Sequence, residues 1–247
     1  MRPHLRALAA SAATAATAVL AAGCGFGLGF GSNSNSGSGS NSGSGSGSGS
    51  DDWSQPHPAP TAVGALGREF AAASPAPEAT VTPRPGSWSD VHPSENYRVV
   101  LLTTGDDRPT KALVKAVEDW AGDEDVDLRT VVADRPSDYI PSITKAMDMA
   151  PDLIVSAGND LVDPLAMVTP NHLSQPFLVV GAELAEPTGN VTAVDWSGAS
   201  FRGEGLGASS TYDPASFTAA RCAAAIRAGA AAVLNDLTGI VIWLDEH

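Results

Sequence analysis

The stretch Pro151–Val168, PDLIVSAGNDLVDPLAMV, decides how the rest of the chain is read. Leu153-Ile154-Val155 is a short unbroken apolar run, the pattern of a strand buried on both faces of a parallel sheet. Ser156-Ala157-Gly158 is small and permissive and lets the chain turn sharply at the strand's end. Asn159 or Asp160 is then placed to cap a helix through Leu161, Leu165 and Val168, with Pro164 tolerable only in its first turn. Strand, turn, cap and helix make half of a βαβ unit, and ligands of such folds collect at the carboxyl ends of the strands.

Working outward, the same grammar repeats. Tyr97–Thr104 (YRVVLLTT) is a strand, turned by Gly105-Asp106-Asp107-Arg108-Pro109 into a helix with Leu113, Val114, Val117 and Trp120 on one face. Asp127–Val132 alternates and reads as a strand nearer the edge, and Ser137–Met149 as a helix with Ile140, Ile143, Ala146 and Met147 inward. Gln175–Val180 and Asn190–Trp196 are further strands. A Gly/Ser-rich loop over 197–213 leads to one long alanine-rich helix, Pro214–Leu234, and Gly239–Leu244 is a last strand. Alternating strands and helices with short βα turns predict an α/β domain over 97–247, with a doubly wound, mostly parallel sheet. Four turns then share one edge: Thr103–Asp107, Gly158–Asp160, Gly181–Glu183 and Asp195–Ser197.

The N-terminal part has a different composition. Met1–Arg6 is basic and Ala7–Ala22 is apolar, alanine-rich and free of acids, so 1–23 reads as an export signal. It ends in Leu20-Ala21-Ala22-Gly23-Cys24, which resembles the lipobox of bacterial lipoproteins, although Ala21 stands where leucine is preferred. The resemblance implies cleavage before Cys24 and a diacylglycerol on its thiol. Cleavage at an Ala-x-Ala site of an ordinary secretory signal is the alternative. The other cysteine, Cys222, falls in the alanine-rich helix, so a small core residue and no disulfide are expected.

Ser32–Ser50 is pure Gly/Ser/Asn, and prolines 56, 58, 60, 75, 77, 83, 85 and 93 follow. Together they predict a disordered tether over 24–96. As a coil, such a tether of ~72 residues reaches about 45–50 Å on average.

Charge and motifs exclude several functions. The net charge is −14, and from Arg98 onward there are 22 acidic against 10 basic residues, which argues against nucleic acid and anionic lipid. The histidines (4, 57, 92, 172 and 247) stand away from the strands' carboxyl ends, and G-x-S-x-G, H-E-x-x-H and C-x-x-C do not occur. Gly203-Glu204-Gly205-Leu206-Gly207 misses the dinucleotide fingerprint in spacing and context. No catalytic residue, metal or cofactor is therefore expected. A two-component receiver domain would need a lysine ending the fifth strand, where Asp195-Trp196 stands.

Three segments carry a wider resemblance: RVVLLTTGDD (98–107), DLIVSAGNDLVDPLAMV (152–168) and NVTAVDW (190–196). In order and wording they resemble the first lobe of type I periplasmic binding proteins. They are most similar to the basic membrane lipoprotein family of ABC-transporter substrate-binding proteins, many of which bind purine nucleosides. The resemblance covers 97–247 and implies a single lobe of that fold on an exported lipoprotein. Where the family shows Asp-x-Ser-Phe-Asn, with the aromatic stacked on a base, this chain reads Asp107-Arg108-Pro109-Thr110-Lys111, so that contact is not expected.

The expected role is a membrane-anchored extracytoplasmic solute-binding lipoprotein. The alternative is a cell-surface interaction or sensory module on the same scaffold. Candidate ligand contacts are Asp106, Asp107, Asn159, Asp160, Asp163, Asp195 and Trp196. Most also have a plain structural use. Asp106-Asp107 supply negative charge to a helix N-terminus, Asn159 or Asp160 cap, and Trp196 covers the sheet's end. The expected partners are a small polar solute, the membrane through Cys24, and either an ABC permease or a second lobe gained by dimerisation.

Overall fold

The computed structural model describes residues 53, 55–72, 74–203, 205 and 210–245. The export signal, Cys24 and the Gly/Ser run lie outside the described residues. In chain order the elements are β1 (Ala62–Val63), β2 (Thr80–Val81), β3 (His92–Pro93), β4 (Arg98–Thr103), α1 (Arg108–Asp123), β5 (Asp127–Val132) and α2 (Tyr139–Asp148). They continue with β6 (Leu153–Ala157), α3 (Val162–Val168), β7 (Phe177–Val180), β8 (Val191–Asp195), α4 (Ala219–Leu234) and β9 (Val241–Trp243).

Seven strands form one parallel sheet in the order β2-β9-β8-β7-β6-β4-β5. Val99 of β4 stands beside Leu153 of β6, and Arg98 beside Asp127 of β5. Strands β4, β6, β7 and β8 are buried at every residue, because helices cover both faces. Val99, Leu101, Val155, Leu178 and Val194 point to the face held by α1 (Leu113, Val117, Trp120) and α4 (Ala225, Ile226, Ala228). Val100, Leu102, Ile154, Phe177 and Val179 point to the opposite face, held by α2 (Ile143, Ala146) and α3 (Val162, Leu165). The sheet is doubly wound, as the alternation of elements predicts. Cys222 is buried in the first of these cores.

Ile140, expected to face inward from α2, is exposed, and three larger expectations also need correction. The tether does not extend to residue 96, because the described part of 53–96 packs onto the domain. Phe70 and Trp88 meet edge-on, with ring centres 6.3 Å apart, and are buried with Val81 and Val91 in the α1–α4 core. Strand β2 pairs in parallel with β9, while β1 and β3 form an antiparallel ribbon. Proline favours extended backbone, so a proline-rich strap with aromatic anchors suits the sheet's edge and covers its exposed ladder.

Next, the helix foreseen over 214–234 is broken. A 3₁₀ turn, Pro214–Ser216, stops at Phe217, and α4 begins after Thr218, whose hydroxyl accepts from the Arg221 amide (3.2 Å). A capping threonine competes with the helix interior and resets its start there. Finally, neither Asn159 nor Asp160 caps a helix through its side chain. Both sit inside a 3₁₀ turn, Asn159–Leu161, that runs into α3 without a side-chain cap.

Candidate ligand-binding site

The connection out of β4 leads through α1 to β5, and that out of β6 leads through α3 to β7 on the other side. The chain therefore diverges between β4 and β6, the switch point at which open parallel sheets hold ligands. A cavity of about 240 Å³ opens there. One wall is the turn after β4 and the start of α1: Thr104, Asp107, Pro109, Thr110 and Leu113. Facing it are Gly158, Asn159 and Asp160 after β6, and Tyr212 and Phe217 complete the rim.

Local geometry explains how the walls stay in place. Asp107 caps α1, its carboxylate accepting from the Thr110 amide (3.0 Å) and the Thr110 hydroxyl (2.8 Å). The Thr104 hydroxyl donates to the Ala133 carbonyl at 2.7 Å, tying the β4 turn to that of β5. Gly158 has φ +114°, ψ 146°, a conformation essentially reserved for glycine, and a Cβ there would lie 3.4 Å from both the Thr104 carbonyl and the Thr110 hydroxyl. It is this backbone conformation, rather than any lack of space, that requires glycine. Asp160 stands at the mouth, 3.5 Å from the Tyr139 hydroxyl. Tyr212 is 44% exposed and packs edge-on against Phe217, with ring centres 6.0 Å apart. Burial, then the charges of Asp107 and Asp160, raise the Tyr212 phenol above its ordinary value, so both carboxylates act on that ring.

The seven candidate contacts thus divide. Asp107, Asn159 and Asp160 line the cavity together. Asp106 lies outside the lining, with its side chain almost fully exposed and Lys111 at 3.5 Å. The β8 end of the edge is covered. Trp196 is fully buried, donates its indole N–H to Ser216 (3.0 Å) and meets Phe217 edge-on at 5.0 Å, so it covers the sheet's end and offers no stacking face. Asp195 is fully buried beside it and accepts from the Trp196 amide at 2.8 Å. Burial, with help from the Glu183 charge, raises its carboxyl to about 7. Glu183 pairs with Arg202 (2.8 Å), and its amide donates to the Phe201 carbonyl (2.9 Å), which lays the loop after β8 over this half of the edge. Asp163 lies under the same loop, where a Cβ on Gly203 would come within 2.6 Å of its carboxylate.

Sequence reasoning missed Tyr212, near the end of the Gly/Ser-rich loop, and Phe217, which it placed in the long helix that follows. An aromatic side chain on each side of that boundary is the available signal. Among the described residues no group of three or more His, Cys, Asp or Glu could hold a metal ion, and no helix is long and apolar enough to cross a membrane.

No family model matches the chain, and no curated protein matches it. Among solved structures it is similar to an ABC-transporter solute-binding protein of Aeropyrum pernix K1, with 20% identity and a TM-score of 0.38 over 41% of this chain and 29% of that one. It is also similar to a transcriptional activator of the comK gene from Bacillus halodurans (16% identity, TM-score 0.35, 40% and 35%). A third is a periplasmic ribose ABC transporter protein of Conexibacter woesei DSM 14684 (17%, 0.30, 61% and 54%). The chain matches less than a third of the Aeropyrum protein's length. These identities and scores describe a partial likeness and assign no function.

Proposed function

We propose that the chain is an extracytoplasmic solute-binding lipoprotein, held to the membrane through Cys24, that takes a small polar solute between the turns after β4 and β6. The observation that carries this reading is the cavity itself: it opens at the switch point and is lined by polar groups from two βα turns, with two aromatic rings at its rim. The acylated cysteine rests on the lipobox resemblance, and delivery to an ABC permease on the resemblance of 97–247 to substrate-binding proteins. Arg98, at the start of β4, donates to the carbonyls of Trp53 (3.3 Å) and Gln55 (3.1 Å), and His57 meets Asp152, just before β6, at 3.2 Å. The described chain therefore enters at the strands' amino ends, with the cavity at their carboxyl ends.

The test is thermal denaturation against nucleosides, sugars, amino acids and amines, with size-exclusion chromatography of the same samples. A ligand at a hundred times its Kd stabilises by ~2.7 kcal/mol, a readable rise in melting temperature. Stabilisation that disappears in Asp160→Asn supports the reading. A silent panel on a rigid monomer favours the surface-interaction module instead.

A further inference from the structure

Taking the cavity as the solute site, we infer that its ligand is a small organic cation, an amine or quaternary ammonium compound whose charge sits between Asp107, Asp160 and the ring of Tyr212. The inference rests on what lines the space. Two carboxylates enter from opposite walls, and no Lys, Arg or His is among the described lining residues. The nearby Lys111 turns outward to Asp106 at 3.5 Å. A neutral or anionic solute would leave both carboxylates partly desolvated without a compensating positive charge, which is costly. An ammonium group removes that cost with charge-assisted hydrogen bonds, or, if quaternary, by Coulomb attraction alone.

The aromatic rim points the same way. Tyr212 remains 44% exposed, with Phe217 edge-on against it at 6.0 Å. The negative face of such a ring is a favourable surface for a cation. Asp107 keeps its place through Thr110, so its carboxylate is positioned before any ligand arrives. Size limits the ligand further. The space of about 240 Å³ corresponds to ~8 water molecules at ~30 Å³ each, room for a solute of on the order of ten non-hydrogen atoms. The net charge of −14 adds a long-range attraction for cations, weakened by salt.

Calorimetric titration of the full chain with choline, putrescine and agmatine, beside ribose, glycerol and glutamate, tests the inference. At least one cation should bind, with an affinity that falls as salt rises. Asp160→Asn, which removes charge without touching a helix cap, should weaken it about tenfold or more. Tyr212→Leu should weaken it about threefold or more, whereas Tyr212→Phe should retain it. Binding of ribose, glycerol or glutamate with all three cations silent overturns the cation assignment and leaves solute binding intact. Silence of all six compounds likewise overturns the cation assignment, and the wider panel of nucleosides, sugars, amino acids and amines then decides on solute binding itself.

Discussion

Asp195 is the residue whose surroundings are most at odds with its chemistry. Its Oδ1 accepts the Trp196 amide, while Oδ2 has no partner in bonding geometry among the described residues, the Ser200 hydroxyl being turned to the Trp196 carbonyl (3.1 Å). Burial raises the carboxyl to about 7, so between the ordinary carboxylate range and about 7 the folded protein holds a proton that the unfolded chain has lost. Stability from this group is therefore full in acid and falls as pH rises through that window, by an amount on the order of 4 kcal/mol. Asp195→Asn keeps an acceptor for the Trp196 amide and removes the charge. The variant should melt higher than the parent at pH 8 and lose most of that advantage by pH 4.5, as read by calorimetric scans across the range. An unchanged difference between parent and variant at the two pH values would refute the assignment.

At the scale of elements, α4 shows how closely a helix is laid on the sheet. A Cβ on Gly229 would come within 2.4 Å of Leu178 Cδ1 on β7 and 2.9 Å of Val194 Cγ2 on β8. In an open helix Gly→Ala would gain ~1 kcal/mol. Here two strand side chains must be displaced, at a cost of ~1–3 kcal/mol. Gly229→Ala should therefore be neutral to destabilising by about 2 kcal/mol in urea denaturation, and a clear gain would show that the helix stands farther off.

This packing also explains what could be read from the sequence. Strands covered on both faces carry runs such as Val99–Leu102 and Leu153–Val155, which announce themselves without a structure. The turns that follow them were legible for the same reason, and with them Asp107, Asn159 and Asp160. Strand β2 is two residues long and carries no periodicity, so only its pairing with β9 reveals it. Tyr212 and Phe217 reach the cavity from more than fifty positions beyond Asn159, a placement no local pattern encodes.

Across the whole molecule, the strap makes the difference between a covered and an open sheet. Trp53 donates its indole N–H to Asp127 and lies 4.1 Å from the Arg129 guanidinium, gripping the amino ends of β4 and β5. Far along the strap, Phe70 and Trp88 close the α1–α4 core, and β2 completes the sheet beside β9. Removing an aromatic side chain of this kind costs ~3–5 kcal/mol, a large part of a domain's stability of ~5–15 kcal/mol. The strap is thus part of the folding unit, and the boundary relevant to stability lies near residue 53 rather than 97. A chain beginning at residue 53 should melt within a few degrees of the full protein. One beginning at residue 97 leaves the β9 ladder unpaired and the faces beneath Phe70 and Trp88 bare, so it should melt far lower or associate. Circular dichroism melts with size-exclusion chromatography separate the two. If the shorter chain were as stable and as monomeric as the longer, residues 53–96 would be a passive tether after all.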